Sequence, residues 1–91
     1  MAVNTPSAAA VQSAVADVLA EITGVEETRS APDLKIRDLG FLDSLGVINL
    51  IINLSERLSI DIVPAEIEET DVATPRAIVN FVCRKLAIDP P

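Results

Sequence analysis

Side chains able to do chemistry are scarce in these 91 residues. There is no histidine, and Cys83 is the single cysteine. The constellation that stands out is Asp43-Ser44-Leu45, midway along the chain. A serine turns nucleophilic when a neighbouring base takes its proton. Ser44 has only Asp43 as a base near it in sequence, which argues against a small hydrolase. Two readings of Ser44 remain open on these residues: an ordinary helix-start serine, or a hydroxyl that another enzyme modifies. Cys83 falls on an apolar helical face and reads as core, since one thiol makes neither a metal site nor a catalytic pair.

The element that must position Ser44 begins at that residue. Winding Ser44 to Leu58 at roughly 100° per residue sorts the side chains. Gly46, Asn49, Asn53, Glu56 and Arg57 share a narrow polar arc, with Glu56 balanced by Arg57. Leu45, Val47, Ile48, Leu50, Ile51, Ile52, Leu54 and Leu58 cover the rest. A helix resting on one neighbour shows an apolar stripe of about 100° or more. This one shows roughly twice that, so it is expected to be wedged between several helices. Ser44 is then at the end of the rod, where its hydroxyl reaches water.

Asp43-Ser44-Leu45, opening an apolar helix in a small acidic chain, resembles the attachment site of acyl and peptidyl carrier proteins. The resemblance covers roughly Ser7 to Leu86. It implies that Ser44 carries covalent 4′-phosphopantetheine from coenzyme A, that Asp43 belongs to what a phosphopantetheinyl transferase reads, and that Leu45 is an apolar contact beside the arm. A phosphodiester on Ser44 would sit beside first-turn backbone N–H groups at the positive end of the helix. The resemblance also implies further partners, an acyl- or aminoacyl-activating ligase and a downstream acyl-accepting enzyme, and a protein that is not itself an enzyme. The spacing departs from the fatty-acid carriers. Asp38-Leu39-Gly40 is followed by Phe41, Leu42 and Asp43 before Ser44, one residue more than in that pattern. The run Phe41 to Gly46 is more similar to D-alanyl carrier proteins and related stand-alone carriers, which favours an aminoacyl or specialised acyl cargo. The alternative of a different class is a carrier-like helical interaction module that is never modified.

Composition narrows the rest. Fourteen acidic residues against seven basic ones give a net charge of −7, which disfavours nucleic acid as a partner and favours basic proteins. A lone cysteine allows no internal disulfide and suits a reducing compartment. The opening MAVNTPSAAA lacks a signal peptide's basic region and apolar core. No apolar run nears the roughly 18 residues of a membrane span. The expectation is a soluble, cytoplasmic, monomeric domain. With only Phe41 and Phe81 aromatic, its core must be aliphatic.

Capping and periodicity complete the outline. Asp43 can cap the helix that Ser44 opens. Ser7 caps a first helix that runs to about Thr23 and stops at Gly24. Residues 25–43 are long for a connection, where about 4–6 residues is usual. Leu34, Ile36, Leu39, Phe41 and Leu42 should pin this loop to the core. Ser59 to Val63 reads as an extended link, Pro64 to about Glu69 as a short helix, and Thr74-Pro75 as cap and first residue of a last helix. Ile78, Val79, Val82, Cys83 and Leu86 form its inner face. The predicted fold is all-α, a small acyl-carrier-like bundle of three long helices and one short one with a long first loop. The carrier domain spans 7–87, between a flexible tail at 1–6 and a short tail at 88–91.

Partner contacts are expected on the outward arc at Gly46, Asn49 and Asn53. Gly46 would let a partner or the arm lie close to the helix backbone. Asp61, Glu66, Glu68, Glu69 and Asp71 form an acidic cluster with no base among them, which reads first as a solvated face; recognition at Glu66 on the short third helix is the alternative expectation.

Overall fold

The computed structural model describes residues 5–91; residues 1–4 of the expected tail lie outside the described residues. Three α-helices carry the fold: α1 (Ala8–Thr23), α2 (Ser44–Leu58) and α3 (Pro75–Leu86). Each starts on a polar cap read from the sequence. The Ser7 side chain accepts from the Ala10 N–H, Asp43 from Gly46 and Thr74 from Ala77. These bonds satisfy amides that have no partner within the helix. Gly24 ends α1 at φ 70°. Ser59 and Ala87 end α2 and α3 in the same left-handed conformation, at φ 54° and 56°.

α1 packs against both α2 and α3. The shared core is aliphatic: Val11, Val15, Val18 and Leu19 from α1, Leu50, Ile51 and Leu54 from α2, and Ile78, Val79, Val82 and Cys83 from α3. Burial pushes the Cys83 thiol pKa upward, as for an inert core cysteine.

The expected fourth helix is not an α-helix. Its place is taken by two 3-10 turns, Pro64–Glu66 and Glu69–Val72. Between them Ile67 is extended (φ −92°, ψ 128°), so helical hydrogen bonding cannot run through. Glu68 opens the second turn: the Asp71 side chain accepts from the Glu68 N–H at 2.9 Å, and the Glu68 carbonyl accepts from the Asp71 N–H at 2.9 Å. That pair of bonds starts a new turn where one continuous helix was expected. Ile60 to Val63 are neither helix nor strand, and no strand occurs among the described residues.

The long loop is a structural member. It contains a 3-10 turn at Glu26–Arg29. It is stitched to the start of α3 by backbone bonds, Ile36 N–H to Ala73 C=O (3.1 Å) and Arg76 N–H to Pro32 C=O (2.9 Å). Ile36 and Leu42 are buried as expected, whereas Leu39 and Phe41 are exposed. At the C-terminal end Ile88 packs partly against the core, within the stretch expected to be tail.

Asp17 accepts from Arg29 and from Arg57, joining α1, the loop and α2. Arg57 therefore serves Asp17, where the sequence had suggested Glu56. The Arg29 hydrogen bond, with the charges of Arg29 and Arg57 adding to it, holds the Asp17 carboxyl below the ordinary carboxylate range. A lowered folded-state pKa contributes stability that is fully present above the unfolded value of about 3.9 and is lost as pH falls through the folded value. Acid titration followed by circular dichroism is therefore expected to show a smaller loss of stability below about pH 4 in Asp17→Asn than in the wild type.

Candidate functional site

Ser44 is the first residue of α2 and is exposed. It is not the cap. The Asp43 side chain does that work, its Oδ1 accepting from the Gly46 N–H at 2.7 Å, while the Asp43 carbonyl accepts from Val47 at 2.9 Å. The amides of Ser44 and Leu45 are left without a hydrogen-bond partner among the described residues. An oxygen on Ser44 thus stands in water next to two free N–H donors at the positive end of a 15-residue helix. A phosphate ester fits there.

The turn that delivers Ser44 is tightly built. The Ile36 carbonyl accepts from both Phe41 (2.9 Å) and Leu42 (3.1 Å). Gly40 sits at φ 77°, a conformation that glycine reaches without steric penalty. Leu42 is buried and lies against α2.

Gly46 belongs to this construction. It had been expected on the outward arc, but it is buried. A Cβ there would stand 2.9 Å from Leu42 Cδ1 and 3.2 Å from Asp43 Oδ1. The glycine lets the Leu42-Asp43 turn press against the helix. Helical periodicity could not show this, because the covering atoms come from the loop. In an open helix Gly→Ala gains about 0.5–1 kcal/mol. Overpacking costs about 1–3 kcal/mol and is expected to outweigh that gain here. Gly46→Ala should lower the denaturant midpoint where a glycine on a free arc would raise it.

The wide apolar side of α2 is not fully wedged. Leu45, Ile48 and Ile52 are 66%, 45% and 51% exposed. At steps of three and four they form one stripe running down the helix from Ser44. Helical periodicity put Ile48 and Ile52 on the side expected to be covered, while Leu45, implied to be a contact beside the arm, is open as that role needs; the signal periodicity lacked was which neighbours reach that side, and the helix that packs on α2 is α1. Asn49 and Asn53 are also exposed, and the Asn53 side chain donates to the Asn49 carbonyl at 2.7 Å.

Beside Ser44 is a groove of about 200 Å³ between α2 and the two 3-10 turns. Val47, Ile51, Ile67 and Val72 line it, and Arg37, Glu68 and Glu69 contribute charges. The acidic cluster turns out to be largely paired with bases from elsewhere in the chain. Arg37 meets Glu69, Arg84 meets Asp71, and Lys85 meets Glu66. A larger cavity, about 360 Å³, lies between α1 and α3. Its arginines, Arg29 and Arg76, are already held by Asp17 and Asp33, and Ser44 does not line it.

The phosphopantetheine attachment site family matches residues 13–82. Among curated relatives, the D-alanyl carrier protein of Lacticaseibacillus rhamnosus is 30% identical over 73 residues, 80% of this chain and 90% of that protein. Those of Listeria welshimeri and Bacillus velezensis are 35% identical over 66 residues, 72% of this chain and 85% of theirs. No solved structure gives a significant match. No helix among the described residues is long and apolar enough to cross a membrane. The chain belongs to the phosphopantetheine attachment site family, whose members bear covalent 4′-phosphopantetheine, and it is a carrier protein rather than an enzyme.

Proposed function

We propose that this protein bears its 4′-phosphopantetheine on Ser44 and shuttles an acyl or aminoacyl group between partner enzymes. The observation that carries the reading is the exposed Ser44 hydroxyl at the first position of α2, beside two uncommitted amides. When attached, the group supplies a terminal thiol that holds the cargo as a thioester. The chain's own part is to present, orient and leave accessible. Ser44 offers its oxygen to a phosphopantetheinyl transferase. Asp43 fixes the helix start that this enzyme reads. Leu45 provides an exposed apolar contact next to the attachment point.

A ligase and a downstream acceptor enzyme complete the cycle. The relatives are D-alanyl carriers, and the run Phe41 to Gly46 resembles that family's attachment site, so an aminoacyl cargo is the favoured one. Partners approach along α2, where Ile48, Asn49, Ile52 and Asn53 are exposed and carry no charge. Gly46 contributes from beneath, by seating the Leu42-Asp43 turn. Glu66, paired with Lys85, is a second contact at the rim. The buried free thiol of Cys83 is compatible with a cytoplasmic setting.

Intact mass tests the reading. Co-expression with a broad-specificity transferase is expected to add one phosphopantetheine, mapped to the peptide containing Ser44. A wild-type protein that gains no mass would mean an unmodified interaction module instead.

A further inference from the structure

Among the described residues, Arg37 is the only lysine or arginine lining the groove beside Ser44. Its side chain is 20% exposed. Nε and Nη2 donate to the two Glu69 carboxylate oxygens at 3.3 and 3.0 Å, and Nη1 donates to the Leu42 carbonyl at 2.9 Å. A guanidinium has five N–H groups. These three bonds leave one N–H on each terminal nitrogen without a partner among the described residues. Leu42 is two residues before Ser44, and two residues of chain span at most about 7 Å. A cation with spare donors is therefore anchored close to the attachment point.

The surrounding charge gives those donors a purpose. Glu68 and Glu69 line the groove, and the Asp43 carboxylate caps the helix that Ser44 begins. A phosphodiester is a permanent anion at neutral pH. Placed among three carboxylates it needs a cation, and Arg37 is the one at hand. Guanidinium is also the side chain best suited to hold phosphate oxygens through paired N–H donors.

We propose that Arg37 binds the phosphodiester of the group carried on Ser44, using the uncommitted N–H on each terminal nitrogen while Glu69 and the Leu42 carbonyl hold the guanidinium in place. This steers the chain beyond the phosphate along the apolar wall of Val47, Ile51, Ile67 and Val72 rather than straight into solvent. The inference rests on attachment at Ser44.

The test uses full-length, isotope-labelled protein before and after quantitative loading, with loading verified by intact mass. The guanidinium 15N–1H resonances of Arg37 are expected to shift on loading. Those of Arg76, which pairs with Asp33 and does not line the groove, serve as the internal control and are expected to stay in place. In 31P spectra of the loaded forms, Arg37→Gln should sharpen the phosphodiester line and move it toward that of free phosphopantetheine, with Arg37→Lys in between. Full loading with unmoved Arg37 resonances, or with the same 31P line in the wild type and Arg37→Gln, would overturn the inference alone. Absence of loading would overturn the attachment reading and this inference together. The apo–holo comparison of Arg37 itself needs no variant, so it decides the matter even if Arg37→Gln does not fold.

Discussion

Ser44→Ala is expected to abolish loading completely while leaving the fold as stable as before. The two halves of that expectation have separate physical origins. In the proposed attachment the hydroxyl is the acceptor oxygen, and alanine offers no atom in its place. The hydroxyl is not, however, the helix cap, because Asp43 holds the Gly46 amide. Ser44 is also exposed, and alanine is the most favourable helix residue. Surface changes of this kind usually stay within about 0.5 kcal/mol. Intact mass after co-expression with transferase, with a thermal melt on the same sample, checks both halves. A Ser44→Ala protein that still gains one phosphopantetheine would place the attachment elsewhere.

The second large effect concerns the rod behind Ser44. Leu54 is fully buried in the aliphatic core, while Ile52, two residues away on the same helix, is half exposed. Leu54→Ala removes buried methyl groups and leaves a cavity, and such changes cost about 2–5 kcal/mol. Domains of this size are stable by roughly 5–15 kcal/mol, and 1 kcal/mol moves the melting temperature of a 60–100-residue domain by about 4–8 °C. Leu54→Ala should therefore melt on the order of 10–30 °C below the wild type. Ile52→Ala should stay within a few degrees, although periodicity alone gives both residues to the core. Equal losses in the two variants would mean that the stripe is covered.

That pair marks where sequence reading worked and where it stopped. The ends of α1, α2 and α3 were legible because each depends on local chemistry: Ser7, Asp43 and Thr74 as caps, Gly24 as a stop, Pro75 at a first position. The core of α1 was legible for the same reason, since Val11, Val15, Val18 and Leu19 repeat at helical steps and all are buried. What depends on distant partners was not. Gly46 looked outward because helical geometry ignores a loop folding over it. Arg57 was matched with Glu56, its neighbour in sequence, yet it meets Asp17 forty positions away. The acids at Glu66, Glu69 and Asp71 looked unopposed because Lys85, Arg37 and Arg84 come from other elements. Pro64 announced a helix start correctly in kind, but the extended Ile67 and the new turn opened at Glu68 divide that segment in two. Ser44 was singled out by a motif, and its exposure follows from a helix boundary read correctly.

The stripe of Leu45, Ile48 and Ile52 has a bearing on how the molecule behaves in a crowded solution. Greasy ridges invite copies of a protein to stick to one another. Here the net charge of −7 opposes that, since like-charged molecules repel at distances up to about a Debye length, about 8 Å at physiological salt. Colloidal stability and a sticky visiting surface are thus supplied by different residues. Raising ionic strength or protonating the carboxylates weakens the repulsion while leaving the ridge intact, so self-association is set by the solvent and not by the stripe alone.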